Sequence, residues 1–373
     1  MDFELSQEQA MLKDSVERFV QEKYEFSERK RLSETVLGYS EENWTTFAEM
    51  GWLGLAFDEE FGGFGGSPID MSVVTEGLGA GLALEPLLST VLLGGALVQA
   101  LGSGEQKAEI LPGIISGEVK LALAYGEPAG GFDLAFHETA AVPADSRYVL
   151  NGHKSVVLNA ASADRLVVVA RTSGQASDQA GLSAFLVDVD SAGLRQQDYP
   201  LVDGGRASDI WFQDVSAELL GTEGGAFEAL EAVVNAATCA VCAEAVGAMR
   251  QVLDITKEYT GTRSQFGKAI GDNQVIQHRL VDMFTAVEEA KAITDITTMR
   301  LDSGAENAAA AVSAMKAKVG EAARFVGSQG VQLHGGIGMT DEYPVGHYFK
   351  RLMVIDVLFG DANHHLNRFA DSI

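Results

Sequence analysis

After Pro200 the chain has no proline until Pro344, and the residues between are rich in Ala, Met, Glu and Lys. One proline in a helix interior costs about 3 kcal/mol, so such a run can carry long helices without interruption. The apolar spacing predicts them at 226–260, 274–301 and 304–333. The other prolines, at 68, 86, 112, 128, 143 and 200, punctuate a shorter-grained first half. Within residues 1–118 the expectation is helices separated by glycine-rich loops. Ser6 with Gln9 gives a capping-box start, Phe61-Gly-Gly-Phe-Gly-Gly-Ser-Pro a loop, and 69–101 apolar helical material. From 119 to 215 the character changes to β-branched runs with turn residues between them, such as Arg165-Leu-Val-Val-Val-Ala-Arg and Ser183-Ala-Phe-Leu-Val-Asp-Val. These predict a small antiparallel barrel or sandwich. The fold class is therefore α+β: an N-terminal helical domain (1–118), a middle β domain (119–220) and a C-terminal helical bundle (221–373).

Composition narrows the function. Hydrophobic residues are 46% of 373 and charged residues 21%, enough for sizeable cores, and the formal net charge is −26. So acidic a surface repels phosphate backbones and anionic lipid, which argues against nucleic-acid and membrane-surface roles. No run of eighteen uninterrupted apolar residues suggests a membrane span, and the acidic start Met1-Asp2-Phe3-Glu4 is no secretion signal. Two cysteines cannot staple a secreted fold, which points to the cytoplasm. Cys239 and Cys242 have C-x-x-C spacing. Their setting, Asn235-Ala-Ala-Thr-Cys-Ala-Val-Cys-Ala, is an apolar helix interior with no second ligand pair, so they read as core cysteines. His364-His365 lacks partners at ligand spacing, and no metal site is expected.

Four segments are candidates for chemistry. Arg263-Ser-Gln-Phe-Gly-Lys closes one long helix and Gln274-Val-Ile-Gln-His-Arg opens the next, a turn able to hold a phosphate or simply a solvated one. Gln332-Leu-His-Gly-Gly-Ile-Gly-Met has three glycines in four residues, letting the backbone approach a ligand closely. Gly126-Glu-Pro-Ala-Gly-Gly-Phe-Asp is a turn between strands. Gly77-Leu-Gly-Ala-Gly lies inside helical material and reads as close helix packing.

In order and spacing these segments resemble the acyl-CoA dehydrogenases over essentially the whole chain. The likeness runs from Leu5-Ser-Gln-Glu-Gln through Phe57-Asp-Glu-Glu-Phe-Gly-Gly-Phe-Gly-Gly, Gly126-Glu-Pro, Asn151-Gly-His-Lys, Arg263-Ser-Gln-Phe-Gly-Lys and Gln332-Leu-His-Gly-Gly-Ile-Gly to Asp341-Glu-Tyr-Pro-Val. The resemblance implies a flavoenzyme. A carboxylate removes the α-proton of an acyl-CoA, FAD takes the β-hydride, and an electron-transfer flavoprotein accepts the electrons. It also implies that the adenine and pyrophosphate end of FAD is gripped by a neighbour's C-terminal helices, here through Arg263, Phe266, Gln274, Gln332, Gly335 and Gly336.

The departures from the family pattern fall elsewhere. Its commonest base position is Phe359, in Leu358-Phe-Gly-Asp, and the alternative on the long helix is Ala237. Neither accepts a proton. The family's Thr-Glu-Pro is Gly126-Glu-Pro, the serine before its aspartate is Phe132, and its Trp-Ile-Thr is Val156-Val-Leu158. Two hydroxyls facing the flavin ring are thereby lost, although backbone N–H groups remain. The resemblance is therefore to the smaller subunit of heteromeric, α2β2 enzymes acting on dicarboxylic (pimeloyl-CoA) or steroid-degradation acyl-CoAs, with a second dehydrogenase-like subunit carrying the base. Two alternatives stand beside it. One is a self-sufficient homo-oligomer with a relocated base, Glu244 (seven residues beyond Ala237 on the same helix) or Asp361. The other is a non-catalytic acyl-CoA-binding scaffold.

Overall fold

The computed structural model describes residues 4–372; the acidic start at Met1-Asp2-Phe3 lies outside the described residues. The first half carries helices α1 (Gln7–Lys23), α2 (Phe26–Ser33), α3 (Glu41–Glu49), α4 (Pro68–Gly81), α5 (Ala96–Leu101) and α6 (Gly104–Ile115). Strands follow: β1 (Leu121–Ala124), β2 (Ala140–Ala144), β3 (Arg147–Leu158), β4 (Arg165–Arg171), β5 (Leu182–Asp188), β6 (Leu194–Pro200) and β7 (Arg206–Leu220). Then come α7 (Phe227–Thr262), the hairpin β8 (Ser264–Gln265) and β9 (Lys268–Ala269), α8 (Gln274–Asp302), α9 (Ala308–His334), α10 (Pro344–Val357) and α11 (Ala362–Ala370). The chain forms two compact units, one of Met1–Arg31, Ser67–Ala83 and Thr238–Ile373, the other of Leu32–Gly66 and Leu84–Ala237.

In the second unit the sheet closes on itself. β4 pairs with β5, β5 with β7, β7 with β3 and β3 with β2, and β2 returns to β4 at Ala140–Arg171. Closure makes a small barrel, with β1 added beside β4 and β6 beside β7. Leu150, Leu166, Val168, Phe185, Val187, Ile210, Phe212 and Val215 fill its interior. The apolar stretch expected as helix over 69–101 is broken. Leu82 takes a left-handed φ of 54° as the C-cap that ends α4, its N–H donating to the Gly79 and Leu78 carbonyls. A π-helical segment, Leu88–Gly95, then leads into α5. Gly95 lets this segment lie against Phe57, where a Cβ would come within 2.7 Å of the ring.

In the first unit α9 packs against α8, α10 and α11, and α1 against α4. The capping box at Ser6 and Gln9 starts α1. Glycines let the helices cross closely. A Cβ on Gly77 would lie 2.5 Å from Val16, one on Gly79 2.1 Å from the Glu244 carbonyl, and one on Gly247 1.9 Å from the Glu76 carbonyl. By length and composition α7 could cross a membrane, but 83% of its most apolar window is buried in the protein, as in a core helix. Cys239 and Cys242 are free and buried on it. Burial pushes both thiols up, Cys242 to about 12, so neither is a thiolate near neutrality. Among the described residues no cluster of three metal-ligating side chains occurs.

Candidate active site

The six residues expected to grip the FAD tail all belong to the first unit, and all are exposed. Phe266 stands at the tip of the β8–β9 hairpin with φ 55°, its ring wholly open to solvent. Among the described residues Arg263 has no side-chain hydrogen bond or ion pair, so its guanidinium is available to an anion. Gln274 opens α8, a 29-residue helix whose N-cap, Asn273, makes no side-chain capping bond. That leaves N–H groups and the positive end of the helix dipole facing outward. Gln332 lies in the last turn of α9, and its carbonyl accepts the Gly335 N–H. Gly335 has φ 64°, and a Cβ on Gly335 or Gly336 would meet no atom within 4 Å, so this backbone is open to an incoming group.

Aromatic packing that sequence reasoning missed gathers these residues. Tyr259 of α7 stacks on His334 at 4.4 Å, and His334 meets Tyr343 at 5.0 Å. The Arg263 N–H donates to the Tyr259 carbonyl at 2.8 Å, and Gly335 follows His334 directly. The arginine and the glycine pair thus sit within a helical turn of the same ring stack. A free guanidinium, an open aromatic ring and a bare glycine backbone suit a pyrophosphate and an adenine. His334 is held neutral by burial, with Nδ1–H donating to the Gly330 carbonyl at 2.7 Å.

The ring-side motifs belong to the barrel unit, and much of their chemistry is internal. Lys154 is fully buried. Its ammonium donates to Glu127 Oε1 at 2.7 Å, to His137 Nδ1 at 2.7 Å and to the Tyr125 carbonyl at 3.1 Å. Glu127 also accepts the N–H groups of Glu138 (2.7 Å) and Thr139 (3.0 Å). Burial alone would raise the Glu127 carboxyl. His137, Lys154 and Thr139 outweigh it and hold the carboxyl below the usual range. Burial lowers Lys154 to about 8. The Gly126-Glu-Pro and Asn151-Gly-His-Lys motifs therefore meet in one buried network whose third member, His137, no sequence motif marks. Arg171 reinforces the same loop by donating to the carbonyls of Ala135, His137, Ser173, Ala176, Asp178 and Ala180.

The backbone N–H groups expected to remain for the flavin ring are partly engaged. Ser155 N–H donates to Gly126 O at 2.9 Å, and Val156 N–H to Asp209 Oδ1 at 3.2 Å. Val156 and Phe132 are themselves exposed.

Of the two positions where the resemblance expects a base, Ala237 is fully buried in α7. Phe359 sits on the turn after α10 with a left-handed φ of 62°. Glu244 is joined to Arg351 by two hydrogen bonds, Oε1 to Nε at 2.6 Å and Oε2 to Nη2 at 2.8 Å. Asp361 is the N-cap of α11, its Oδ1 accepting the His364 N–H at 2.8 Å.

Comparison with known proteins settles the family. The acyl-CoA dehydrogenase N-terminal domain matches residues 6–118, the middle domain 122–215 and the C-terminal domain 225–373. The chain belongs to the acyl-CoA dehydrogenase family. It is 30% identical to the acryloyl-CoA reductase (NADH) of Anaerotignum propionicum over 98% of this chain and 94% of that one. Among solved structures, the Tcur3481-Tcur3483 steroid ACAD has a TM-score of 0.88 at 28% identity, covering 98% of this chain and 97% of that one. The FAD complex of PigA has a TM-score of 0.92 at 26% identity, covering 100% and 99%. The helical–barrel–helical architecture is that of the family, and its cofactor is FAD.

Proposed function

We propose that this acyl-CoA dehydrogenase chain is the subunit of a heteromeric enzyme that grips the FAD tail, while a second dehydrogenase-like chain carries the catalytic carboxylate. The observation that carries the reading is a contrast between two sets of residues. The tail-gripping residues are exposed and open, whereas Phe359 and Ala237 at the family's two base positions cannot take a proton. The nearby carboxylates support it too. Both oxygens of Glu244 accept from Arg351, and Asp361 is occupied in capping α11.

On this reading Arg263 meets the pyrophosphate, Phe266 covers the adenine, and Gly335 with Gly336 lets backbone N–H groups reach the phosphates. When bound, FAD supplies the hydride acceptor for α,β-dehydrogenation of an acyl-CoA. This chain holds and orients the cofactor and moves no proton itself. The name of the Tcur3481-Tcur3483 steroid ACAD, which joins two chains, favours a heteromer and a bulky acyl group. An electron-transfer flavoprotein is the proposed electron acceptor and the cytoplasm the proposed compartment.

The test is anaerobic flavin bleaching by butyryl-, palmitoyl- and pimeloyl-CoA, with this chain alone and with its partner assembled. Bleaching only in the assembly, abolished when the partner's base is neutralised, is expected. Bleaching by the chain alone, lost on Glu244→Gln or Asp361→Asn, would establish the self-sufficient alternative instead.

A further inference from the structure

Three segments of the first unit converge on one imidazole. His334 is the last residue of α9 and only 3% exposed. Its ring stacks on Tyr259 of α7 at 4.4 Å and meets Tyr343, the N-cap of α10, at 5.0 Å. The two tyrosine rings lie 6.2 Å apart, so each ring of the three is within aromatic contact of the other two. One turn earlier the same three helices touch directly. A Cβ on Gly330 would lie 2.5 Å from Val252 of α7 and 3.1 Å from Val345 of α10, both fully buried. His334 Nδ1–H donates to the Gly330 carbonyl at 2.7 Å, which ties the ring to that contact.

The stack lies at the root of two open segments. On α7 the Tyr259 carbonyl accepts the Arg263 N–H at 2.8 Å, and the Arg263 carbonyl accepts the Ile270 N–H at 2.9 Å, closing the hairpin that carries Phe266. On α9 the Gly335 N–H donates to the Gln332 and Val331 carbonyls. The 335–339 turn then comes back over the imidazole, where a Cβ on Gly338 would lie 3.0 Å from the His334 Cβ. His334 Nε2 is buried with no hydrogen-bond partner, so the ring is held by its packing and by one donor. A leucine at 334 would leave a gap between Tyr259 and Tyr343 and take away the donor to Gly330. Both open segments would then be free to shift.

We propose that His334 is a positioning residue for the FAD tail. Through Tyr259 it fixes the Arg263 turn, and through its own backbone the Gly335–Gly336 pair, so that guanidinium and bare peptide groups meet one diphosphate together. The proposal rests on the reading above that Arg263, Gly335 and Gly336 hold that tail.

The experiment uses the assembled enzyme, stripped of flavin and carrying His334→Leu, titrated with FAD and with ADP, which is the tail without the ring system. Affinity for both is expected to fall about tenfold, by the same factor. Amide hydrogen exchange, read without nucleotide, should quicken about tenfold in segments 263–270 and 335–340 and stay unchanged in the barrel. His334→Phe, which keeps a ring in the stack, should bring affinity back to within about twofold. If His334→Leu does not fold, Tyr343→Leu opens the stack with the imidazole in place and should give the same effects. Unchanged affinity for FAD and ADP, while Arg263→Ala weakens both, overturns the positioning role alone. Unchanged affinity in both variants overturns it together with the reading that these residues hold the tail. A loss for FAD without a loss for ADP, or faster exchange spread through the whole chain, also overturns it.

Discussion

At the residue scale, the most informative groups are carboxylates whose partners show what they are for. Glu244 looks from sequence like a relocated base, because it is a lone acid among Ala, Val, Cys and Gly. The sequence does not reveal that Arg351, more than a hundred positions away, meets both of its oxygens. Glu244→Gln, which removes the negative charge facing the Arg351 guanidinium, is therefore expected to destabilise the chain by about 1–3 kcal/mol, and to leave turnover of the assembled enzyme unchanged. Thermal melts and steady-state rates check both halves.

Glu127 behaves in the opposite way. Nothing in Gly126-Glu-Pro announces a buried ion pair, yet Glu127 holds Lys154 inside the barrel unit. Removing one partner of such a pair costs about 3–5 kcal/mol, so Glu127→Gln should lower stability by that order at neutral pH. The folded carboxyl is held below its unfolded value. Its stabilisation is therefore full above about pH 4.3 and is lost as the pH falls toward the folded value. The stability gap between wild type and variant across pH 3–7 should narrow toward the acid end. A gap that stays constant to pH 3 would contradict the assignment.

At the scale of elements, periodicity and proline placement made the three long helices, the barrel strands and the capping box at Ser6 legible. The π-helical segment at Leu88–Gly95 was not, because it depends on Leu121 and Phe57, from elsewhere in the chain, packing against Gly94 and Gly95. The same limit applies to the site. The glycine-rich end of α9 and the arginine turn stand out as motifs, but the Tyr259–His334–Tyr343 stack that gathers them exists only in three dimensions. Glycines of one type also serve two different ends. Gly79→Ala should cost about 1–3 kcal/mol by forcing α4 away from α7, whereas Gly336→Ala, facing open space, should leave the melting temperature within error. Gly336→Ala should instead lower FAD retention of the assembled enzyme, measured as flavin absorbance after gel filtration. A large melting shift for Gly336→Ala would mean that the site is structural.

At the scale of the whole molecule, the chain keeps the family's fold throughout, and on the proposed reading its departures concentrate where a proton would be taken and the flavin ring would lie. A scaffold that had abandoned redox chemistry would have no need of an open glycine backbone beside a free arginine. The most direct measurement is of the chain purified alone: flavin content by visible absorbance together with its mass under native conditions. A colourless or weakly yellow species that gains stoichiometric FAD only on assembly with its partner chain is expected. Stoichiometric FAD in a homotetramer of this chain alone would contradict it.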